Sequence, residues 1–310
     1  MVAKPQTAWM SVDWNEHRRW VWVEGAPANV VEIGSGPPLV FVHGLSGSWQ
    51  NWLCQLPAFA ETHRCIAMDL PGFGESPLPP DGKISIRGYG RWLAALLDEL
   101  DVAGCAVVGN SMGGFIGLEA ALSYPERVER LVLVSAAGLT IEKQRNEPVL
   151  RLLEVTENLA QYVLAHTLGT SRKLALRPRG RKPLLWFVVA HPEKLHPALV
   201  LEQIKGTGKP GFVPALDALT DYPIRDRLDD VRCPTLVVWG EKDMLVPVRD
   251  AYDFDELISD SRLIVHEDVG HVAMLEIPER FNADLEAFLA EQPPETAERA
   301  AAAARPPDGA

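Results

Sequence analysis

Val107-Val108-Gly109-Asn110-Ser111-Met112-Gly113-Gly114 is the stretch whose reading decides the fold. An apolar, β-branched run ends at a glycine, a serine stands two residues on, and a second glycine follows at the same spacing before an amphipathic segment. The pattern is G-x-S-x-G between a strand and a helix. A serine in so sharp a strand-to-helix turn needs glycine at both flanks, because a Cβ there would crowd its neighbours. A bare G-x-S-x-G arises often by chance; this context makes it a candidate nucleophile elbow with Ser111 at its tip.

Outward from the elbow, short apolar runs alternate with amphipathic segments, which argues for parallel strands joined by crossover helices. The expected strands are Leu39–His43, Cys65–Leu70, Cys105–Gly109, Leu131–Ser135, Thr235–Gly240 and Arg262–His266. Each shows little alternation, as expected of strands covered on both faces. Tyr89, Trp92, Leu93, Leu96, Leu97 and Leu100 repeat at helical spacing, and so do Phe281, Leu285, Phe288 and Leu289. The fold class is therefore α/β, a doubly wound and mostly parallel sheet. Met10–Glu24, with Trp14, Trp20 and Trp22, reads as one or two antiparallel edge strands whose tryptophans cover one end of the sheet.

The βα rhythm stops from about Thr140 to Tyr222 and resumes at Pro234. The core is accordingly expected at 1–139 and 223–291, a helical cap at 140–222, and a frayed tail at 292–310. Within the cap, Leu184 to Val189 is an apolar segment able to roof a pocket, and Trp186 and Phe187 are its candidate substrate contacts.

A serine hydroxyl is a poor nucleophile until a base takes its proton, so a histidine and an orienting carboxylate should follow downstream. Asp243 lies in Gly240-Glu241-Lys242-Asp243 just past one strand, and His271 in Val269-Gly270-His271 just past another. The carboxyl ends of parallel strands share one edge of the sheet, so residues 111, 243 and 271 can converge. The alternatives are a helix-capping carboxylate for Asp243 and a surface histidine for His271, with Glu241 and Asp268 as rivals for the acid. Two donors are needed for a developing oxyanion: the Met112 N–H at the head of a helix, and the Leu45 N–H in the loop His43-Gly44-Leu45-Ser46-Gly47. His43 is then a loop-shaping residue.

The set HGLSG at 43–47, DLPGFGES at 69–76, GNSMGG at 109–114, GEKD at 240–243 and GH at 270–271 resembles the α/β-hydrolase superfamily over roughly residues 30–290. The resemblance implies a triad of Ser111, Asp243 and His271, an oxyanion hole at Leu45 and Met112, and a helical cap. The serine departs from the branches that use an aspartate nucleophile. GNSMGG is similar to the elbow of meta-cleavage carbon–carbon bond hydrolases, but Val272 stands where they usually carry tryptophan, and their Gly/Pro-rich oxyanion loop is replaced. The cap arginines Arg172, Arg177, Arg179 and Arg181 could meet a dienoate carboxylate or form a solvated basic face. The leading expectation is a carboxylic ester hydrolase acting on a small or medium apolar substrate. The alternatives are a carbon–carbon bond hydrolase and a low-turnover small-molecule receptor.

Composition narrows the setting. The chain has 310 residues, 47% of them hydrophobic, which is ample for a packed core. Its net charge of −12, with no basic stripe, argues against nucleic acid as a partner. No apolar run approaches the ~18 residues of a membrane span, and Met1 to Pro5 does not open a secretion signal, so the expected location is cytoplasmic. Cys54, Cys65, Cys105 and Cys233 match no zinc spacing and are expected to be reduced core residues. No metal or cofactor is called for; the expected partner is a small-molecule ester, and the sequence assigns no oligomeric state.

Overall fold

The computed structural model describes residues 7–137, 139–140 and 175–291. Its centre is one eight-stranded sheet: β1 Arg18–Val23, β2 Ala26–Ile33, β3 Pro38–Val42, β4 Arg64–Met68, β5 Cys105–Asn110, β6 Val128–Val134, β7 Thr235–Gly240 and β8 Ser261–His266. The spatial order is β1-β2-β4-β3-β5-β6-β7-β8. β1 pairs with β2 and β2 with β4 antiparallel, while every pairing from β4 through β8 is parallel.

The weak alternation of the central runs follows from their burial on both sides. Odd and even positions go to two different cores. Val40, Val42, Val107, Leu131, Leu133, Val237 and Trp239 join one, while Leu39, Phe41, Val108, Val132, Val134, Leu236 and Val238 join the other. The first core is closed by α2, Ile86–Glu99, and α3, Met112–Ser123; the second by α1, Leu56–Phe59, and the C-terminal helix Pro278–Ala290. Ser85 caps α2 by accepting the Gly88 N–H at 3.0 Å, and the periodic residues from Tyr89 to Leu97 are buried along it. All four cysteines are buried.

At the N-terminus the expected antiparallel edge strand is present, but the role expected of its tryptophans needs correction. β1 is the only strand within Met10–Glu24, and its antiparallel partner begins at Ala26. Trp9 is buried and Trp14 lies 5.1 Å from Trp49 between ring centroids, but Trp20 and Trp22 are 52% and 65% exposed rather than covering the sheet. Strand alternation explains this: Val21 and Val23 point into the core, which sends Trp20 and Trp22 to the opposite face of an edge strand.

Between β6 and β7 the described residues form α4 Pro178–Leu185, α5 Pro197–Ile204 and α6 Phe212–Thr220, with short 3-10 turns and no strand. β6 and β7 are direct parallel neighbours, so the chain returns to the same sheet. Arg181 braces the helical segment from inside: Nε donates to the Ala175 carbonyl at 2.7 Å and Nη1 to the Glu193 carbonyl at 3.0 Å. The return is tied to α3 by Arg227 Nη1 on Glu119 Oε2 at 2.8 Å. Residues 141–174 of the expected cap, with Arg172, and the tail at 292–310 lie outside the described residues. Among the described residues no helix is long and apolar enough to cross a membrane.

Candidate active site

The strand ends of β3, β5, β7 and β8 face one edge of the sheet, and each is followed by a loop with one of the candidate groups. Ser111 joins β5 to α3 at φ +54° and ψ −119°, a backbone conformation costing about 1–3 kcal/mol for a non-glycine residue. Its surroundings hold it there. The Ser111 N–H donates to the Val134 carbonyl, and its own carbonyl accepts from Ala137 N–H, both at 3.0 Å. A Cβ on Gly109 would lie 2.2 Å from the Gly113 carbonyl oxygen, and one on Gly113 would lie 2.2 Å from that of Val42. The flanking glycines are thus required by backbone packed on backbone.

The loop after β3 comes up beside the serine: a Cβ on Gly44 would lie 3.0 Å from Ser111 Cβ. His43 shapes this loop. Its Nε2 accepts the Leu70 N–H at 3.0 Å, which leaves Nδ1 protonated to donate to the Gly44 carbonyl at 2.7 Å. Burial lowers its pKa and favours this neutral form. Leu45 follows, half-buried against Phe212 and Leu216 of α6. Met112 heads α3, where first-turn amides have no intrahelical acceptor and the helix dipole favours negative charge. Asp69 supports the same region from beneath. Its Oδ1 accepts Trp49 N–H at 2.9 Å, and its Oδ2 accepts Asn29 Nδ2 at 2.7 Å and Glu75 N–H at 2.8 Å.

Asp243 and His271 are in direct contact. Nδ1 of His271 lies 2.7 Å from Asp243 Oδ2, with both side chains buried. The other carboxylate oxygen accepts the N–H groups of Leu245 and Val246, each at 2.9 Å, so Asp243 is oriented from its own loop. Gly240 permits the approach: a Cβ there would lie 2.1 Å from the Gly270 carbonyl oxygen and 2.3 Å from that of Val269. The rivals turn elsewhere. Asp268 is exposed and paired with Lys242 and His191, and Glu241 accepts the Asp268 N–H at 3.4 Å.

No hydrogen bond joins the Ser111 hydroxyl to the imidazole. The link is made by Asn110, whose Nδ2 donates to the His271 carbonyl at 3.3 Å and to that of Val134 at 3.0 Å. Catalytic hydrogen bonds of this kind are often long without substrate and tighten when it binds. Trp186 is half-exposed, edge-on to Phe187 with centroids 5.8 Å apart. Two residues beyond Trp186, the Val188 carbonyl accepts the His271 N–H at 2.9 Å.

Asn110, Asp69 and Glu276 escape sequence reasoning as parts of the site, although Asn110 and Asp69 belong to quoted motifs. Glu276 is a lone acid in the apolar run Ala273-Met274-Leu275-Glu276-Ile277, the one signal available for it. Its carboxyl is pushed up to about 7 by burial, against the lowering effect of backbone N–H donors and of His191.

The chain matches the family described as alpha/beta hydrolase fold over residues 37–278. It is 32% identical to the dihydrolipoyllysine-residue acetyltransferase component of the acetoin cleaving system of Pseudomonas putida, over 83% of this chain but only 65% of that protein. It is 31% identical to 2-hydroxy-6-oxo-6-(2'-aminophenyl)hexa-2,4-dienoic acid hydrolase of Metapseudomonas resinovorans, over 86% of this chain and 89% of the relative. It is 28% identical to pimeloyl-[acyl-carrier protein] methyl ester esterase of Aeromonas hydrophila, over 84% and 98% respectively.

Proposed function

This chain belongs to the alpha/beta hydrolase fold family, and from that premise we propose that it is a serine hydrolase cleaving a carboxylic ester of a small or medium apolar substrate. The observation that carries this reading is the buried His271–Asp243 hydrogen bond on the same sheet edge as the strained Ser111. In the proposed reaction Ser111 Oγ attacks the ester carbonyl carbon and His271 Nε2 takes its proton. Asp243 fixes the Nδ1–H tautomer and stabilises the imidazolium. The Leu45 and Met112 N–H groups receive the oxyanion. Collapse expels the alcohol with the proton from His271. Water, deprotonated by the same imidazole, then attacks the acyl-enzyme, releasing the acid and restoring Ser111. The segment 140–222 is read as a cap, in which Trp186 and Phe187 are the proposed substrate contacts. The likeness to a methyl ester esterase supports ester chemistry.

Ser111→Ala should abolish ester turnover and labelling by a fluorophosphonate while thermal unfolding stays unchanged. Labelling that persists in the folded variant rejects the nucleophile. A second reading, carbon–carbon bond cleavage, is favoured by the likeness to a hexadienoic acid hydrolase. Against it, Arg181 is committed to backbone carbonyls within the cap, and Val272 follows the histidine. Nitrophenyl esters of graded chain length, assayed beside one yellow dienoate, separate the two: turnover of the dienoate alone overturns the ester assignment.

A further inference from the structure

Glu276 is a carboxylate that the proposed chemistry leaves unused. It closes the short helix that starts two residues past His271, and its two oxygens reach different parts of the chain. Oε1 accepts the Gly270 N–H and Oε2 accepts the Ala190 N–H, each at 2.9 Å. Gly270 immediately precedes His271. Ala190 belongs to the strap that carries Trp186 and Phe187, and the same strap supplies the Val188 carbonyl that accepts the His271 N–H at 2.9 Å. The contacts leave no spare room: a Cβ on Gly270 would lie 2.8 Å from both Ala190 N and Glu276 Oε1, and 2.9 Å from the Val188 oxygen. Beside this knot, His191 lies 2.7 Å from Asp268 across the surface.

We propose that Glu276 is a positioning residue for His271, holding with one oxygen the peptide before the histidine and with the other the strap seated on it. The inference rests on reading His271 as the general base. Residue type supports it. Only an ionised carboxylate offers two acceptor oxygens to two converging N–H donors; a glutamine of the same shape would present an NH2 group to one of them. Burial works against that ionised form, so the two N–H donors are what favour it in this site. The placement of the imidazole and the seat of the strap therefore depend on one side chain.

Glu276→Gln tests this directly, with Ser111→Ala and His271→Ala in parallel. The measurements are steady-state ester kinetics, thermal unfolding, and the low-field NMR resonance of the His271 Nδ1 proton on Asp243. The expected result is a folded protein whose kcat falls by ~10- to ~100-fold, the scale of a misplaced catalytic group, with a smaller change in KM and a shifted or broadened imidazole resonance. Wild-type kcat and an unmoved resonance in Glu276→Gln, with the other two variants inactive, overturn the positioning role and leave the serine-hydrolase reading standing. Full activity in Ser111→Ala or His271→Ala rejects that reading and this inference with it. A second measurement needs no variant. In the wild-type chain the Gly270 and Ala190 amides should exchange hydrogen slowly and with the same opening free energy; a protected Gly270 beside an unprotected Ala190 overturns the coupling.

Discussion

At the scale of single residues, Asp243 as the proposed acid has rivals in sequence, but it is the one in contact with His271. Asp243→Asn keeps the shape of the side chain while favouring the wrong imidazole tautomer. Its kcat should fall by up to ~10⁴ with little change in KM, the scale of the same exchange in a serine-protease triad. Glu241→Gln and Asp268→Asn should each stay within about tenfold, since both carboxylates lie on the surface away from the ring. Kinetics on the three variants decide the matter: near-normal turnover in Asp243→Asn with collapse in a rival reverses the assignment. Glu276 gives a separate prediction in pH. Its folded pKa, about 7, is raised above the ordinary value of 4.5, so the folded state holds the proton more tightly. The stability this contributes is full below the unfolded pKa and is lost as pH rises through the folded one. The slope reaches at most about 1.4 kcal/mol per pH unit across that window. Denaturant midpoints between pH 4.5 and 8 should show this decline in the wild type and not in Glu276→Gln; parallel profiles refute it. Ser111, Asp243 and His271 are legible as candidates because each follows an apolar strand run with a glycine close by. Glu276 was not, because its partners are backbone N–H groups, which leave no mark on residue type.

At the scale of elements, the strap between α4 and α5 touches the His271 main chain through the Val188 carbonyl. Smaller residues at Trp186 or Phe187 should alter the preferred acyl chain length more than kcat on the best substrate, because Val188, which makes the contact to His271, is untouched. A loss of stability with an unchanged chain-length profile would mean that the two rings serve only to pack the segment. The central strands were readable to within a few residues because burial on both faces demands unbroken apolar runs. β1 and β2 were only partly readable. Trp20 and Trp22 satisfy strand propensity equally well on either face, so composition alone does not say which face is covered. The described helices between β6 and β7 lie in a segment whose Arg-Pro, Lys-Pro and His-Pro breaks announce the interruption but not its contacts.

At the scale of the whole molecule, the sheet divides two cores, and a residue at its centre is felt through the strand ends that carry the site. Phe41 on β3 is fully buried and lies 5.1 Å from Trp52 between ring centroids. Phe41→Ala should cost about 3–5 kcal/mol, seen as a lower unfolding midpoint; a loss under about 1 kcal/mol would mean that the neighbouring side chains collapse into the space. The doubly wound architecture was legible because only a two-sided sheet accounts for six such runs with helical spacing between them. The spacing of Asp243 and His271 has a different origin. The loops after β7 and β8 meet where Gly240 abuts the carbonyls of Val269 and Gly270, main chain against main chain. The spacing of the two loops is therefore fixed by chain path rather than by the surrounding side chains, Glu276 apart, which is proposed to seat the imidazole on it. Libraries that randomise those side chains should retain the pair, whereas a one-residue insertion or deletion within 240–243 or 267–271 should lose it. For anyone redesigning this protein, the editable part is Trp186, Phe187 and the helices beyond the strap, and the two loops are a fixed ruler.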